Sequence, residues 1–469
     1  MKLSFLLEKA NIAYDGEDVE VSLITDNSAK CKPSCIFVCH KNAGRYIESA
    51  KENGAVLIIS EEKLSENCIV VSDTRETYSV LCREFFSRPD EKLSLIAVTG
   101  TNGKTTVCSM INHILEMNEI KCGLIGTVTN KAVEETESEL TTPDCFELYS
   151  LLSEMAEAGY EYCVIEASSQ GLDQKRLFGL SFQWGIFTNL TQDHLDYHKN
   201  KENYKNAKLS LFESCKNAII NYDDKNAEEF ASVCKGEVIT YSVISNESVF
   251  TAKNIRSEEG FVGYEMVSDG FILRVSLSLS GDFWAGNSLA AIICANKVGI
   301  PAEKCVYALK SFSGVKGRME ILDIPTPYRV IIDYAHTPDS LLQTLLSLRK
   351  FCKGRIILVF GCGGNREKEK RSEMGRVAVY NSDVVFITSD NPRNEEPLEI
   401  IDDILYGIKK TKTPVFIQPD RRAAIGAAIK KAKRSDIILL AGKGHETCQL
   451  VAGEKIPFDE REIVKSFIK

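Results

Sequence analysis

Short continuous apolar runs alternate along this chain with apolar residues at helical spacing. Residues 93–98 form one such run, which is typical of a buried strand. Beyond a glycine-containing segment, apolar residues recur every three or four positions, which is the spacing of one helix face. These residues are Val107, Met110, Ile111, Ile114 and Leu115. The pattern therefore predicts a strand, a turn and a helix between residues 93 and 115.

The same alternation extends towards both ends of the chain. In the first ninety residues, two apolar runs alternate with charged helical segments. After about residue 325, helical segments separate four apolar runs, which is the pattern of a doubly wound parallel sheet. The runs are 35–38, 55–59, 330–332, 356–360, 384–387 and 437–440. Residues 236–280 alternate polar and apolar positions and predict a β-rich subregion, followed by a helix at 288–297.

These patterns predict an α/β protein of three domains, because 469 residues are too many for one hydrophobic core. We expect a small N-terminal α/β domain at 1–91 and a central parallel-sheet domain at 92–322. A doubly wound domain, of the Rossmann-like kind, is expected at 323–469. The charged segment 87–92 is a predicted linker, since its proline interrupts helical structure.

Composition restricts the partners that this protein can have. Apolar residues make up 44% of the chain and charged residues 26%, as in ordinary globular proteins. No apolar run approaches the roughly 20 residues that span a bilayer, and charge comes too early for a signal peptide. The net charge of −9 argues against a nucleic-acid partner. We expect a monomer that neither inserts into membranes nor binds nucleic acid.

The sixteen cysteines do not form a recognisable metal or disulfide pattern. They are scattered, and no two are separated by only two residues. Most are therefore expected to be small buried apolar residues in a reducing cytoplasm.

The turn between the first predicted strand and helix has the composition of an anion site. Its residues are Gly100, Thr101, Asn102, Gly103, Lys104, Thr105 and Thr106. Glycines let a phosphate approach the backbone N–H groups of a helix N-terminus, and Lys104 adds a positive charge. Thr105 places a hydroxyl where Mg²⁺ binds in such loops. A plain turn before a helix accounts for the two glycines, but not for the lysine and threonines that follow.

Polar residues follow two further predicted strands of the middle region. Glu166 ends an apolar run at 163–166, and a second run at 185–187 leads to His194 and then Lys208. The carboxyl ends of parallel strands lie at one edge of the sheet, where ligands bind. We therefore expect these side chains near the phosphate loop. Glu166 is a candidate Mg²⁺ ligand there. The alternative for Glu166, at the end of a strand, is a purely structural role. The alternative for His194 is a hydrogen bond within a helix.

Four segments in this order resemble the Mur ligase family. They are 100–106 (GTNGKTT), 166–169 (EASS), 188–198 (TNLTQDHLDYH) and 333–339 (DYAHTPD). The chain is most similar to the member that adds the third amino acid in peptidoglycan precursor synthesis. The resemblance implies a UDP-sugar-binding N-terminal domain, a central ATP-binding domain and a C-terminal amino-acid-binding domain.

The implied reaction is ATP-dependent amide formation. ATP phosphorylates the free γ-carboxylate of UDP-N-acetylmuramoyl-L-alanyl-D-glutamate, and the amine of an amino acid displaces phosphate. Carboxylate and γ-phosphate are both anionic. Unit like charges 4 Å apart repel by roughly 4 kcal/mol at an effective dielectric of 20. Mg²⁺ and Lys104 are expected to offset this repulsion.

The resemblance assigns catalytic and nucleotide-binding roles to residues of this chain. Thr105 and Glu166 match the ligands of one Mg²⁺, and His194 and Lys208 match positions that serve a second. A protonated lysine cannot bind Mg²⁺, so Lys208 is expected to be carbamylated, as in the family. Further matches to the ATP site are Asn287 at the adenine, Arg318 and Asp333.

Matches to the sugar-peptide site are spread over two predicted domains. They are Ser28, Thr141, Thr142, Ser169, Gln174 and Arg176. Serine and threonine clusters commonly cap loops, so these roles depend on the resemblance. The chain also departs from the family pattern at Ala29, Gln170, Trp284 and Asn365, which leaves details of substrate binding open.

The C-terminal region matches the amino-acid site of ligases that add meso-diaminopimelate. The matching residues are Arg366, Asp390, Asn391, Pro392, Arg393, Gly442 and Glu446. Arg393 suits the distal carboxylate of this substrate, and Glu446 suits its distal ammonium. L-Lysine lacks that carboxylate and would leave Arg393 unpaired, at a cost of about 1–3 kcal/mol. A surface ion pair is the alternative role for Arg393.

Three other functions remain open from the sequence. The first is a paralogous ligase that adds L-lysine or another amino acid. The second is a catalytically idle, nucleotide-binding regulatory relative, although it would have little reason to keep Lys104, Glu166, His194 and Lys208. The third is folylpolyglutamate synthesis, which shares the phosphate loop but does not account for the additional N-terminal domain.

Overall fold

The computed structural model describes residues 1–409 and 411–468, which form three main sheets, a hairpin and surrounding helices. The first sheet is parallel, with strand order β1-β2-β3-β4. Its strands are β1 (Leu23–Thr25), β2 (Cys35–Cys39), β3 (Ala55–Ser60) and β4 (Cys68–Val70). Its helices are α1 (Leu3–Lys9), α2 (Ile47–Glu52) and α3 (Thr74–Phe85), with 3₁₀ turns at Ser28–Lys30, Gly44–Tyr46 and Pro89–Lys92.

The central sheet has eleven strands and is built around β5. Its strands are β5 (Ser94–Thr99), β6 (Cys122–Ile125), β7 (Thr129–Lys131), β8 (Glu135–Glu137), β9 (Tyr162–Glu166), β10 (Phe182–Phe187), β11 (Cys215–Asn221), β12 (Val238–Ser242), β13 (Phe250–Glu258), β14 (Phe261–Ser268) and β15 (Phe271–Leu277). Their order is β15-β14-β13-β12-β11-β10-β5-β9-β6-β7-β8. The pairs of β13 with β14 and of β14 with β15 are antiparallel, so the β-rich subregion is present.

Helices cover both faces of this sheet. They are α4 (Lys104–Met117), α5 (Cys145–Glu157), α6 (Ser169–Asp173), α7 (Leu195–His198), α8 (Lys201–Glu213), α9 (Ala227–Val233), α10 (Phe283–Lys297) and α11 (Ala302–Leu309). The helix expected from residue 288 begins earlier, at Phe283. Trp284 and Ala285 are buried there, so the first turn is held by packing against the core.

The third sheet has strand order β16-β17-β21-β18-β19-β20 and contains all four predicted strands. The elements are β16 (Glu320–Ile321), β17 (Arg329–Asp333), α12 (Pro338–Phe351), β18 (Ile356–Phe360), α13 (Glu369–Asn381), β19 (Val384–Ile387), α14 (Pro397–Tyr406), β20 (Val415–Ile417), α15 (Arg421–Lys431), β21 (Ile437–Ala441), hairpin strands β22 (Cys448–Val451) and β23 (Glu454–Pro457), and α16 (Glu460–Ile468). β16 lies before the expected boundary at 322/323 yet pairs with β17. In the described part of the chain, no helix is both long and apolar enough to cross a membrane.

Strand register brings the predicted residues of the middle region to one edge. Val98 of β5 lies opposite Glu166 of β9, and Thr99 lies opposite Phe187 of β10. The phosphate loop therefore leaves β5 beside Glu166 and beside the segment that leads from β10 to His194.

Polar contacts join this edge to the third sheet's surroundings. Asn102 donates a hydrogen bond to Asp339 (3.1 Å), and Gln192 donates one to Glu367 (2.6 Å). Apolar residues of both regions also belong to one continuous buried cluster. The edges that carry the candidate chemistry therefore face each other across a cleft.

Arg371 connects two loops of the third domain. Its guanidinium donates to both carboxylate oxygens of Glu395 (2.9 and 3.0 Å) and to Asp403 (2.9 Å). It also donates to the carbonyl of Gly363 (3.3 Å), and its side chain is fully buried. The glycine turn after β18 is thus tied to the loop after β19.

We expect Arg371→Met to destabilise the protein by about 3–5 kcal/mol, because the partly buried Glu395 loses its buried charge partner and keeps only the exposed Lys368, 4.0 Å away. Arg376→Met is the matched control on the same helix, since 61% of the Arg376 side chain is exposed. Its effect should stay within about 0.5 kcal/mol. Urea unfolding followed by circular dichroism measures both variants. Equal stabilities would contradict the role of the buried arginine.

Candidate active site

The phosphate loop is packed too closely for side chains at its glycines. Gly100 and Gly103 have φ of 145° and 88°, a region that favours glycine. A Cβ on Gly100 would lie 1.9 Å from the Thr188 hydroxyl, and one on Gly103 would lie 2.6 Å from Oδ1 of Asn287. Asn287, predicted at the adenine, therefore lies directly beside the loop.

Positive charge converges on this loop. The Lys104 ammonium donates to the carbonyls of Gly100 (3.0 Å) and Thr101 (2.9 Å), and burial lowers its pKa. Arg318 donates to the Thr105 hydroxyl (3.2 Å) while its guanidinium stacks on the Tyr334 ring. Nη1 of Arg318 is buried and has no hydrogen-bond partner within the described residues. A phosphate oxygen would satisfy this donor, so the loop fits a nucleotide tail.

Glu166 is held at the far end of the loop by hydroxyl and backbone donors. Its carboxylate accepts from the Thr105 hydroxyl (2.9 Å), the Thr127 backbone N–H (2.7 Å) and the Thr127 hydroxyl (2.9 Å). The side chain is buried, with 1% exposure. A hydroxyl and a carboxylate oxygen in contact are hard ligands of the kind that Mg²⁺ prefers. The residues present therefore fit the expected ion.

Lys208 and His194 lie at the other side of the loop. Lys208 is 1% exposed and donates to the Gly100 carbonyl (2.7 Å), the same carbonyl that Lys104 contacts. Burial and the neighbouring Lys104 hold the pKa of Lys208 well below its usual value. Desolvation lowers the pKa of His194 to about 4, although 35% of the side chain stays exposed. At neutral pH the imidazole is therefore uncharged and has a lone pair for a metal.

Asp333 is buried and contacts the segment that leads from the central sheet to the third sheet. Its carboxylate accepts from the backbone N–H groups of Met319 (2.7 Å) and Ala335 (2.9 Å) and from the Thr344 hydroxyl (3.2 Å). Burial raises its pKa. Asp333 thus fixes the segment that carries Arg318, in addition to its predicted place beside the nucleotide.

Three of the predicted sugar-peptide residues, Thr142, Gln174 and Arg176, are connected by hydrogen bonds. The Thr142 hydroxyl donates to the Glu166 carbonyl (2.7 Å), and Arg176 donates to the Thr142 carbonyl (2.5 Å) and to Gln174 (2.7 Å). Thr141 accepts from the Thr127 hydroxyl (3.1 Å), and Ser169 is buried at the start of α6. Ser28 is buried in the first domain, where its carbonyl accepts from Asn53 (3.0 Å), and does not line the central cleft.

The predicted amino-acid site is formed by three loops of the third domain. Nη1 of Arg393 donates to the Gly364 carbonyl (2.8 Å), and its backbone N–H donates to Leu450 of β22 (2.9 Å). Pro392 accepts from the backbone of Glu395 (3.0 Å). A Cβ on Gly442 would lie 2.3 Å from Asp390, so this glycine allows the loops to meet. Arg366 reaches across the cleft to Asp196 (3.2 Å).

One cleft of about 1130 Å³ joins these groups. Its lining includes Thr105, Glu166 and His194 from the middle region and Arg366, Asn391 and Glu446 from the third domain. A smaller adjoining cavity of about 100 Å³ is lined by Asp390, Arg393 and Gly442. Thr105, Glu166 and His194 of the predicted ATP and metal sites therefore open onto the same connected space as the predicted amino-acid residues.

Comparison with known proteins identifies the family. Residues 98–295 match the Mur ligase middle domain, and residues 317–444 match the Mur ligase, glutamate ligase domain. UDP-N-acetylmuramoyl-L-alanyl-D-glutamate–2,6-diaminopimelate ligase 1 of Clostridium acetobutylicum is 41% identical over 96% of this chain and 95% of its own. The chain belongs to the Mur ligase family.

Two further comparisons extend over the whole length of this Mur ligase. The diaminopimelate ligase of Clostridium tetani is 39% identical over 100% of this chain and 99% of its own. A solved structure of a ligase with the same substrate name has 32% identity and a TM-score of 0.70, covering 100% of this chain and 99% of that one. The three-domain α/β fold implied by the resemblance is thereby confirmed.

The departures from the family pattern occupy different environments. Trp284 is 1% exposed and donates to the Ser280 carbonyl (3.1 Å), so it belongs to the core. Oδ1 of Asn365 accepts from the Asn394 backbone (3.1 Å) and stabilises the amino-acid loops. Ala29 is exposed in the first domain, and Gln170 lines the cleft. Among the four, Gln170 is therefore placed to affect substrate binding.

Sequence reasoning missed Thr127 and the hairpin of β22 and β23. Thr127 lies in the turn after β6, where a threonine is unremarkable, and only the fold brings it to Glu166. Its position two residues after a strand-ending apolar run was the available signal. The hairpin segment at 448–457 has little apolar pattern, yet its backbone supports Arg393.

We expect Thr127→Val to lower kcat at least about tenfold, because Glu166 loses one of its fixed donors. Thr127→Ser keeps the hydroxyl and should retain most of the activity. Thr136→Val changes the same residue type at an exposed position of β8 and serves as the control. Steady-state kinetics with varied Mg²⁺ measures the effect. Unchanged activity of Thr127→Val would remove Thr127 from the site.

Proposed function

We propose that this chain is an ATP-dependent ligase that joins meso-diaminopimelate to UDP-N-acetylmuramoyl-L-alanyl-D-glutamate in peptidoglycan precursor synthesis. The observation that carries the proposal is the shared cleft, which is lined by the phosphate-loop side and by the predicted amino-acid side. The Clostridium relatives named for this reaction, 41% and 39% identical over nearly the whole chain, support it.

The proposed reaction has two steps. An oxygen of the D-glutamyl γ-carboxylate attacks the γ-phosphorus of ATP, which forms an acyl phosphate and releases ADP. The amine of the amino acid then attacks the acyl carbon, phosphate leaves, and the amine loses a proton as the amide forms. Lys104 and Arg318 supply positive charge where the anionic phosphate and carboxylate approach each other.

Mg²⁺ supplies charge neutralisation at the phosphates when it is bound. Thr105 and Glu166 would hold one ion, and His194 and Lys208 would serve the second. For Lys208 this requires carbamylation, in which the neutral amine adds to CO₂ and releases a proton. Burial supports this step, because the Lys208 amine donates to a backbone carbonyl, makes no salt bridge among residues 1–409 and 411–468, and has a lowered pKa. The resulting carbamate is an anionic oxygen ligand.

The amino-acid site is proposed to recognise both charged groups on the distal carbon centre of meso-diaminopimelate. Arg393 would bind the distal carboxylate, and Glu446 would bind the distal ammonium. The side chains and loops at Arg366, Asp390, Asn391, Pro392 and Gly442 complete the pocket. The nearby Arg366 and Arg393 guanidinium groups raise the local positive potential, which suits a substrate with two carboxylates.

We also propose that the three domains span residues 1–91, 92–322 and 323–469, with β16 pairing across the second boundary, and that the protein works as a monomer in the cytoplasm. Ser28, Thr141, Thr142, Ser169, Gln174 and Arg176 are the proposed sugar-peptide residues. The continuous core that joins the first two domains supports a fixed geometry between them.

The substrate proposal predicts that meso-diaminopimelate is ligated with higher kcat/KM than L-lysine or L-ornithine. Arg393→Gln should lower kcat/KM for meso-diaminopimelate roughly 10- to 100-fold and that for L-lysine much less, because only the former has a distal carboxylate. Product formation is measured by chromatography, with phosphate release as a second signal.

Other outcomes identify the alternatives. A preference for L-lysine would indicate a paralogous ligase, and glutamate addition to folate would indicate a folylpolyglutamate synthase. An idle regulatory relative would bind ATP without releasing phosphate when all substrates are present.

The carbamate proposal predicts that Lys208→Ala loses at least about 100-fold in kcat, since a metal ligand is removed. Wild-type protein in ¹³C-bicarbonate should show a carbamate carbon signal that Lys208→Ala lacks. Lys201→Ala, an exposed lysine on the same helix, should behave as wild type in both measurements. Full activity of Lys208→Ala in bicarbonate-depleted buffer would contradict the proposal.

A further inference from the structure

Lys443 lies in the loop after β21, between two glycines with positive φ. Its side chain is fully buried, with 0% exposure. The ammonium donates to Oδ1 of Asn391 (3.0 Å) and to Oε2 of Glu446 (2.8 Å). Nδ2 of Asn391 donates to the same Oε2 (2.8 Å), which closes a triangle of three side chains.

The network fixes the orientation of the Asn391 amide. Oδ1 of Asn391 accepts from both the Lys443 ammonium and the Leu450 backbone N–H (3.0 Å). A flipped amide would point its NH₂ group at these two donors and its oxygen at the Glu446 carboxylate. Lys443 therefore holds Asn391 in the one orientation that lets it donate to Glu446.

The same network leaves one oxygen of Glu446 for a ligand. Oε2 takes both donors, whereas Oε1 accepts no hydrogen bond from the described residues. The Glu446 side chain is 27% exposed and lines both the cleft and the adjoining cavity. Lys443 lines neither, so any effect it has on a ligand passes through Glu446 and Asn391.

We infer that Lys443 is a positioning residue that aims Oε1 of Glu446 at the distal ammonium of the amino-acid substrate and so sets selectivity for that group. The inference rests on the proposed function, because it needs a substrate with a distal ammonium. The Lys443 ammonium is buried and makes one charge-assisted hydrogen bond to Glu446 and one charge–dipole hydrogen bond to Asn391, and such bonds are stronger at low local dielectric than in water.

Orientation and charge predict opposite effects of removing this lysine. Without Lys443, the Glu446 side chain and the Asn391 amide regain rotational freedom, which weakens a directed contact to the substrate. However, Glu446 would also lose a neighbouring positive charge and attract an ammonium more strongly. We expect orientation to dominate, because Glu446 has three rotatable side-chain bonds and, among the described residues, its carboxylate accepts hydrogen bonds only from Lys443 and Asn391.

The test compares two substrates that differ in the distal ammonium alone. meso-Diaminopimelate carries this group, and L-2-aminopimelate has the same chain length and distal carboxylate without it. The measured ratio is kcat/KM for meso-diaminopimelate divided by kcat/KM for L-2-aminopimelate. We expect Lys443→Met to lower this ratio at least about tenfold. The KM for ATP should change less than about threefold, since the phosphate loop does not contact Lys443. Lys433→Met, an exposed lysine just before β21, is the matched control.

Several outcomes would overturn the inference. A merely structural role would lower both kcat/KM values equally and leave their ratio unchanged, and a dominant charge effect would raise the ratio. In a Glu446→Gln background, Lys443→Met should lower the ratio no further. A wild-type enzyme that ignores meso-diaminopimelate would instead overturn the proposed function.

Two measurements cover the possibility that Lys443→Met does not fold. Lys443→Gln keeps hydrogen-bond donors at this position and should retain part of the substrate ratio. A crystal structure of the wild-type protein with bound meso-diaminopimelate should show the distal ammonium on Oε1 of Glu446 and Lys443 still on Oε2. Release of Lys443 from Glu446 in that complex would contradict the inference.

Discussion

Repulsion between two anions is the constraint around which the cleft is organised. A carboxylate and a triphosphate must approach within bonding distance, and water would screen them only if the site stayed open. The protein instead gathers cations at the phosphate loop. Lys104 and Lys208 share the Gly100 carbonyl, and Arg318 stacks on Tyr334 with one donor free of protein partners in the described chain. The two loop glycines allow Thr188 and Asn287 to pack against the loop backbone beside these cations.

Burial and neighbouring positive charge explain why the two lysines differ from ordinary surface lysines. Desolvation is the main cause that lowers the pKa of both; Arg318 lowers that of Lys104 further, and Lys104 lowers that of Lys208 further. The arrangement is costly for the apo protein and becomes favourable only when anions enter or when one amine changes chemically. The positive groups that the chemistry requires therefore lower the stability of the folded protein at this position, as is common at active sites.

Much of this organisation could be predicted from the sequence, because it depends on local patterns. Apolar runs located three strands of the second sheet, β5, β9 and β10, and four of the third, β17, β18, β19 and β21. The glycines, lysine and threonines of the loop at 100–106 indicated a phosphate site. Contacts between distant segments could not be predicted in the same way. Thr127 reaches Glu166 only because β6 and β9 are neighbours, and Lys443 reads as one residue of a glycine turn until the fold buries it. The early start of α10 and the pairing of β16 likewise depend on tertiary packing, which overrides local signals.

The ion pair between Arg366 and Asp196 crosses from the amino-acid loops to the segment that follows β10, and the bond from Asn102 to Asp339 crosses beside the phosphate loop. Both ligand sites thus depend on the same approach of two halves of the molecule. Thermodynamic linkage then requires reciprocity: if bound nucleotide strengthens the binding of the amino acid by some factor, the amino acid strengthens that of the nucleotide equally. An inhibitor that holds the two halves apart would weaken the binding of both the nucleotide and the amino acid without contacting either pocket.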